Sequence, residues 1–215
     1  EHIGIATGAT WRRDGVARYH LLPIPIDSAM PVFTPDDIMD GRLPSGHVVV
    51  YDDDHCYLAG VMAELLVRNG NRVTFLTPAN KVSDWSTMTL DQPFIQARVL
   101  ELGVDVHVAR AVSRVGASSV TEICTYTGRE SEIACDAVLL VTARLPNDAL
   151  HRDLKAVEDS WMDHGIESMK VFGDAQAPAA IAWATYAGHR YAAELEVPPP
   201  EDGVPFKRVL AAMET

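Results

Sequence analysis

The sequence predicts an α/β protein in which a parallel sheet is combined with a small antiparallel meander. The first observation is a strand–helix–strand unit between His47 and Pro78. Its first strand, VVVY at residues 48–51, is apolar and β-branched, as buried parallel strands are. A helix-forming stretch and a second strand at residues 72–77 follow at a length typical of a right-handed crossover. The second observation is the run AVLLVT at residues 137–142, which predicts another buried parallel strand.

The helix of this unit, over residues 59–67, is expected to bury one apolar face and to end at Gly70, where a left-handed residue is favoured. A further amphipathic helix is predicted over residues 90–102. The buried faces of the two helices would consist of Val61, Leu65 and Leu66 in the first, and of Phe94, Ile95, Val99 and Leu102 in the second.

The elements on either side of this unit follow from local signals. A strand running into Gly8 begins the chain, and four prolines at residues 23–35 favour an extended segment. Thr34 and Pro35 form a good helix start. Downstream, the sequence predicts meander strands at 112–115, 120–126 and 132–135. A helix at 150–157, a strand at 169–174 and a helix of small residues at 178–195 are predicted to follow. The three prolines at 198–200 are expected to end the ordered part, before a weak helical tail at 206–213.

The turn of the strand–helix–strand unit lacks the usual features of a dinucleotide site. Such a turn normally reads G-x-G-x-x-G, so that backbone amides can approach a pyrophosphate. Residues 52–57 instead read DDDHCY, which places three acids where the pyrophosphate would lie. The second strand ends in Thr77 rather than in the acidic residue that binds a ribose. The unit therefore has the frame of a nucleotide-binding domain without its contacts, and we expect it not to bind NAD(H) or NADP(H).

Composition excludes several classes of protein. A net charge of −12 argues against binding to nucleic acid or to anionic membranes, and no apolar run approaches the ~18 residues of a spanning helix. The first residues do not form a signal peptide, and the absence of an initiator Met suggests a fragment. The three cysteines, at positions 56, 124 and 135, are too few and too scattered for a disulfide framework, a metal centre or an iron–sulfur cluster, which favours the cytoplasm.

Four segments in a fixed order carry a family resemblance: IATG at 5–8, the glycine-free unit, VTARLPN at 141–147 and VFGDA at 171–175. This order resembles flavoproteins of the glutathione-reductase type, which contain two dinucleotide-binding domains. The stretches GDAQAPAAIAWATYAGHRYAAEL at 173–195 and TLDQP at 89–93 are more similar still to the C-terminal region of the trimethylamine, dimethylamine and histamine dehydrogenase family, relatives of 2,4-dienoyl-CoA reductase.

The resemblance implies a three-layer, Rossmann-like fold of the FAD/NAD(P)-binding type. Residues 1–31 would be the remnant of a split FAD- or ADP-binding domain, 32–145 an inserted NAD(P)-binding-like domain, 146–197 the return to the first domain, and 198–215 a tail. The resemblance assigns nucleotide contacts to Thr7, Gly8, Gly173, Asp174 and Ala175, and it assigns no catalytic or metal-binding residue.

The resemblance also implies a parent oxidoreductase that holds FMN, a 4Fe–4S cluster and either ADP or FAD. The chain would lack the N-terminal FMN barrel and the first nucleotide-binding half. We therefore expect this fragment to be structural or ADP-holding, colourless and inactive by itself, and to retain no cofactor. Electron-transfer flavoprotein is the expected partner of the parent, which is expected to be a homo-oligomer.

Two other functions stay open: a free-standing FAD/NAD(P)-dependent reductase, and a non-catalytic module that docks an electron-transfer partner. Single residues also have simpler interpretations. Asp174 has the alternative interpretation of a cap at the start of the last helix. His55 beside three acids suggests a metal site, but its spacing from them is not that of a tetrahedral ligand set.

Overall fold

A five-stranded parallel sheet is the centre of the larger of two units into which the chain divides. The computed structural model describes residues 1–195. The inner unit is Trp11–Arg144, and the outer unit combines Glu1–Thr10 with the described residues from Leu145 onward. Residues 11–31, which the sequence-based division assigns to the first domain half, cluster with the inner unit. The short strands β2 (Ala9–Trp11) and β11 (Arg144–Pro146) contain the positions at which the chain passes from one unit to the other.

The sheet of the inner unit has the strand order β3-β10-β4-β5-β6, and its neighbouring strands are all parallel. Both predicted buried strands are confirmed, because β4 and β10 lie side by side with nearly every side chain buried. The strands are β3 (Val32–Phe33), β4 (His47–Asp52), β5 (Arg72–Leu76), β6 (Asp105–His107) and β10 (Ala137–Val141).

The two faces of this sheet are covered by different layers. Val48 and Val50 of β4 contact the helical layer, whereas Val49 and Tyr51 point to the opposite face, as the two-residue period of a strand requires. The helices are α1 (Pro35–Met39), α2 (Leu58–Arg68) and α3 (Gln92–Glu101). The opposite layer is the predicted antiparallel meander, with strands β7 (Arg110–Val115), β8 (Ser119–Cys124) and β9 (Glu130–Ala134).

The start of α1 agrees with its sequence signals. Thr34 and Asp37 form a capping box, and Pro35 occupies the first turn. Asp37 is buried and its carboxylate pairs with the guanidinium groups of Arg13 and Arg42. These interactions keep the pKa of Asp37 below its usual value although burial acts in the opposite direction.

The predicted buried faces of α2 and α3 need correction. Val61 and Leu65 are 51% and 37% exposed, and of the predicted α2 residues only Leu66 is buried. Because α2 is apolar on most sides, the sequence leaves its buried face ambiguous. On α3, Val99 is buried but Phe94 is 77% exposed. The α2 residues that do lie against the sheet with Leu66 are Ala59, Met62 and Ala63.

In the outer unit, β1 (His2–Ile5) and β12 (Ser168–Val171) form a parallel pair. A Cβ added to Gly4 would lie 3.0 Å from both Phe172 and Tyr191, whose rings stack with a centroid separation of 5.2 Å. Glycine at this position therefore lets α5 approach the strands. The helices of this unit are α4 (Ala149–Lys155) and α5 (Ile181–Glu194). The predicted helical tail at 206–213 and the prolines at 198–200 lie outside the described residues.

Candidate functional site

The loop that follows β4, residues 52–57, lies at the carboxyl edge of the parallel sheet. From β4 the chain continues through β5 to β6 on one side, whereas β10 and β3 lie on the other side. Open α/β sheets bind ligands at this edge, where the strand order reverses. Asp53 and Asp54 tie the loop to β10, because their amides donate to the carbonyl of Val141 at 2.9 and 3.2 Å. The loop thus occupies the position at which open α/β sheets hold a nucleotide.

Two of the three acids of this loop turn into the protein, whereas Asp54 is partly exposed. Asp52 and Asp53 are both fully buried. Asp52 Oδ1 accepts a 2.9 Å hydrogen bond from the His55 amide, and Asp53 Oδ2 accepts one of 2.9 Å from the Tyr19 amide. His55 has a φ of 64° and places its Nε2 3.2 Å from Asp53 Oδ1. The loop is therefore held by Asp52 and Asp53, whose carboxyl groups face the interior rather than solvent.

Burial has an electrostatic consequence at Asp52. Removal from water raises the pKa of Asp52 to about 7, although the nearby His55 acts in the opposite direction. Its second oxygen, Oδ2, is buried and has no hydrogen-bond partner among residues 1–195. Both observations favour a protonated Asp52 below about pH 7, because an ionised oxygen without a partner is costly to bury.

Side chains from two other segments cover the outside of the loop. Arg18 Nε donates to the Asp54 carbonyl at 3.4 Å, and its guanidinium lies 3.9 Å from the centroid of the Trp85 ring. The Trp85 amide in turn donates to the His55 carbonyl at 3.0 Å. Arg18 and Trp85 thus bond to backbone carbonyls of the loop from two other segments.

Thr77 follows β5 and is also fully buried. Its hydroxyl lies 3.4 Å from His55 Nδ1 and accepts a hydrogen bond of 3.2 Å from the Ala79 amide. The position that carries a ribose-binding acid in dinucleotide-binding units thus supports the loop instead. The roles of Arg18, Tyr19 and His55 are not visible in the sequence, because no periodic or motif signal assigns residues 18–19 to this edge.

The outer unit holds the five residues that the family resemblance assigns to a nucleotide. Thr7 and Gly8 join the segment after β11 through Asn147, a residue that the sequence-based assignment omits. The Asn147 amide donates to the Gly8 carbonyl at 2.9 Å, and its side-chain amide donates to the Thr7 carbonyl at 3.2 Å. The Thr7 hydroxyl donates to the Asn147 carbonyl. The signal that could have identified Asn147 is its own segment, VTARLPN.

Gly173, Asp174 and Ala175 form a short turn after β12. Since Ile5 of β1 lies opposite Val171 of β12, this turn and Gly8 follow the carboxyl ends of neighbouring strands. Gly173 has a φ of 64°, a left-handed conformation that favours glycine. Asp174 Oδ1 accepts a 3.1 Å hydrogen bond from the Ala179 amide.

Ala175 is 2% exposed, so the turn holds its small side chain inside the unit. The bond to Ala179 joins Asp174 to the segment before α5 and is not a helix cap, because the N-cap of α5 is Ala180 and no side chain caps it. Asp174 itself is only half-buried.

Residues 1–195 contain neither a set of metal-binding side chains nor a helix that could span a membrane. No group of three or more His, Cys, Asp or Glu side chains among residues 1–195 is arranged to hold a metal ion. Cys56, Cys124 and Cys135 are all free thiols. Within the same range, no helix combines the length and the apolar character needed to cross a bilayer.

Comparison with known proteins relates the whole chain to amine-oxidising enzymes. The family described as the OYE-like second alpha/beta domain matches residues 33–139. Dimethylamine dehydrogenase of Hyphomicrobium sp. (strain x) is 34% identical over 235 aligned residues, which cover 99% of this chain and 32% of that protein. The structure of histamine dehydrogenase from Rhizobium sp. 4-9 is 51% identical with a TM-score of 0.93, and the match covers 100% of this chain and 34% of that one.

Two further structures extend the comparison. The 6-hydroxypseudooxynicotine amine oxidase of Pseudomonas geniculata N1 is 42% identical with a TM-score of 0.80, and the match covers 87% of this chain and 28% of that one. Thioredoxin reductase of Lactococcus lactis is 20% identical with a TM-score of 0.61, over 90% of this chain and 63% of that one, a likeness of fold alone. This chain therefore spans about a third of the length of its amine dehydrogenase relatives.

Proposed function

Because the chain is homologous to dimethylamine dehydrogenase and histamine dehydrogenase, of the trimethylamine dehydrogenase family, we propose that it is the C-terminal, nucleotide-binding-like region of an iron–sulfur flavoprotein amine dehydrogenase. In this proposal the inner unit is a Rossmann-like NAD(P)-binding domain that has lost its ligand. The outer unit is part of a split domain that holds ADP. The chain supports a catalytic centre located elsewhere in the longer protein and carries none itself.

The observation that carries the loss of the dinucleotide is the loop after β4, in which Asp52 and Asp53 bond within the protein. A dinucleotide would need free amides and open space at residues 52–57. Asp53 instead accepts from the Tyr19 amide and lies against His55, while Arg18 and Trp85 cover the outside. These residues do not fit NAD(H) or NADP(H), and no hydride-transfer step is assigned to this unit.

The redox groups of the parent also find no fit in this chain. The three cysteines lie far apart in the sequence, and residues 1–195 contain no set of metal-binding side chains. FMN and the 4Fe–4S cluster, with the amine substrate, are therefore assigned to the remaining two thirds of the longer protein. The free thiols agree with a cytoplasmic location, and a homo-oligomer that reduces electron-transfer flavoprotein is the proposed parent assembly.

The residues of the outer unit fit a role in holding ADP. Gly8 and the turn at Gly173–Ala175 stand at the carboxyl ends of two adjacent parallel strands, where open α/β sheets bind nucleotides. Asp174, through its carboxylate, would accept a hydrogen bond from the ribose, and Thr7 and Gly8 would approach the nucleotide with their backbone. The nucleotide-binding segment that precedes residue 1 in the longer protein would complete the site.

The test is nucleotide release from the longer protein encoded by the reading frame that contains these residues. Heat denaturation followed by chromatography is expected to release ADP and to leave NAD(P)H undetected. Asp174→Asn is expected to lower the ADP content, because it removes the charge while keeping an acceptor for the Ala179 amide. Asp163→Asn, at an exposed position of the same unit, is the matched control. An ADP content that Asp174→Asn leaves unchanged would contradict the assigned role.

The two alternatives receive less support. A free-standing reductase requires a working NAD(P)H site, and the acidic, glycine-free loop at residues 52–57 does not provide one. A docking module remains compatible with the acidic charge of −12, but that charge by itself identifies no partner.

A further inference from the structure

Asn147 forms a hydrogen bond through each of its four polar groups, and all four bonds go to the segment that follows β1. Its backbone amide donates to the Gly8 carbonyl at 2.9 Å, and its Nδ2 donates to the Thr7 carbonyl at 3.2 Å. Its Oδ1 accepts from the Thr10 hydroxyl at 2.7 Å, and its carbonyl accepts from the Thr7 hydroxyl. Asn147 therefore fixes the turn at Thr7 and Gly8, although Thr7 lies 140 residues away in the sequence.

These bonds also determine the direction of the peptide groups in the turn. The carbonyls of Thr7 and Gly8 both accept from Asn147, so both point toward it. In a trans peptide the N–H points opposite to the preceding carbonyl, and residues 1–195 contain no cis peptide bond. The Gly8 amide is therefore directed away from Asn147. An amide directed out of a turn is the group with which a backbone binds phosphate and other anions.

Gly8 borders open space. Its φ of 77° is a left-handed conformation that favours glycine. A Cβ added to Gly8 would meet no atom of residues 1–195 within 4 Å, whereas a Cβ added to Gly4 would lie 3.0 Å from two aromatic rings. Glycine is thus needed at position 8 for the conformation of the turn and not for packing inside the unit. Open space beside the turn is what a backbone contact with a nucleotide requires.

The bonds of Asn147 contribute more to the conformation of the turn than to the stability of the fold. Thr7, Thr10 and Asn147 are all exposed. Their polar groups would bond to water if the turn were released, so the net gain to folding from each bond is small. A turn that already has its binding conformation loses less freedom when a ligand binds, which increases affinity.

We propose that Asn147 is a positioning residue of the ADP site, which holds the Thr7–Gly8 turn in the conformation that presents the Gly8 amide to the nucleotide. This inference rests on the proposed function. Thr7 and Gly8 then have different roles. The Thr7 hydroxyl donates to the Asn147 carbonyl and stabilises the turn, whereas Gly8 makes the contact with the nucleotide through its backbone. Asn147 acts through Gly8 and does not itself contact ADP.

The test is calorimetry of ADP binding to the longer protein from the same reading frame, after its bound nucleotide has been removed. Asn147→Ala removes the bonds of Nδ2 and Oδ1 and is expected to weaken ADP binding by about tenfold, because two bonds that preorganise the turn are lost. Asn69→Ala is the matched control. Asn69 is also exposed and its Nδ2 donates to the Leu65 carbonyl at 2.8 Å, but it lies in the inner unit. Unchanged ADP affinity in Asn147→Ala would overturn the inference.

A second variant tests the same contact from the other side. Thr10→Val removes the partner of Asn147 Oδ1 and is expected to weaken ADP binding by about two- to fivefold. In the Asn147→Ala background it should have no further effect, because the bond is already lost. Effects of the two changes that simply multiply would show that Thr10 does not act through Asn147 and would overturn the inference.

Thermal unfolding of the nucleotide-free longer protein separates positioning from folding. The midpoint of Asn147→Ala is expected to stay as close to the wild type as that of Asn69→Ala. Weaker ADP binding together with a clearly lower midpoint would indicate a merely structural role and would refute the inference. A wild-type protein that binds no ADP would refute the proposed function and this inference together, whereas equal ADP affinity in wild type and Asn147→Ala would refute only this inference.

Discussion

Replacing Asp52 by Asn is expected to remove a pH dependence from the stability of the inner unit. Burial raises the pKa of Asp52 from 3.8 to about 7. Between these values the unfolded chain has released the proton while the folded chain still holds it. The free energy of unfolding therefore falls as the pH rises, by about 1.4 kcal/mol per pH unit at most, and levels off above about pH 7. Between pH 3.8 and about pH 7, the free energy of unfolding is expected to fall by on the order of 4 kcal/mol.

The assay is urea unfolding followed by far-UV circular dichroism at pH 5 and pH 8. Asn at position 52 still offers Oδ1 to the His55 amide, and any cost of its new amide group is independent of pH. The difference in unfolding free energy between variant and wild type is expected to shift by about 3 kcal/mol in favour of the variant between pH 5 and pH 8. Asp40→Asn, at a position 69% exposed, is the control and should follow the wild type. Parallel pH profiles for Asp52→Asn and the wild type would refute the reasoning.

Two further predictions concern packing and thiol chemistry. Gly60→Ala is expected to destabilise the chain by about 1–3 kcal/mol in urea unfolding despite the better helix propensity of alanine, because its Cβ would lie 2.7 Å from Ile95 Cγ2. Gly188→Ala, where the nearest atom is 3.8 Å away, should be neutral or stabilising, and equal effects of the two changes would count against this packing. Cys124 should be alkylated fastest in iodoacetamide mapping at pH 7.5, because a hydrogen bond with Thr127 lowers its pKa to about 7, whereas burial raises the pKa of the other two thiols to about 11. Slower modification of Cys124 than of Cys56 and Cys135 would contradict this order of thiol reactivity.

The buried strands and the meander of the inner unit could be predicted from the sequence because their signals are local and unambiguous. The run at residues 48–51 and the run at 137–142 are apolar on both faces, which is the pattern of buried parallel strands. The meander follows from alternating residues separated by turn glycines. Thr34 and Pro35 carry a capping signal that the structure reproduces.

The buried faces of the helices could not be predicted as well. Helix α2 is apolar around most of its circumference, so Val61 and Met62 compete for the core with no decisive period. The face that carries Ala59, Met62, Ala63 and Leu66 lies against the sheet, and Val61 remains half exposed. On α3, Phe94 follows a proline at the helix start and is displaced by about 100° from Ile95, enough to leave the core.

The interior of the loop after β4 was beyond sequence reasoning. The absence of glycine at residues 52–57 predicts a lost nucleotide site, but it does not predict which way the acids point. Their inward orientation depends on Tyr19 and on His55 in a left-handed conformation. Tyr19 is more than thirty residues away in the sequence and no short-range pattern connects it to the loop.

The most direct test of the account is calorimetry of the 215-residue chain with NADH and NADPH at low and high salt. To seat a pyrophosphate, the loop would have to break the bonds of Asp52 to His55 and of Asp53 to Tyr19 and place carboxylates beside a dianion. One carboxylate–phosphate pair at ~5 Å repels by roughly 3 kcal/mol at an effective dielectric of 20. This repulsion is a large part of the binding free energy of a micromolar complex, which is about 8 kcal/mol. We predict millimolar or undetectable binding of both nucleotides at either salt concentration. Micromolar binding of either one would show that the loop is a working dinucleotide site and would contradict the account.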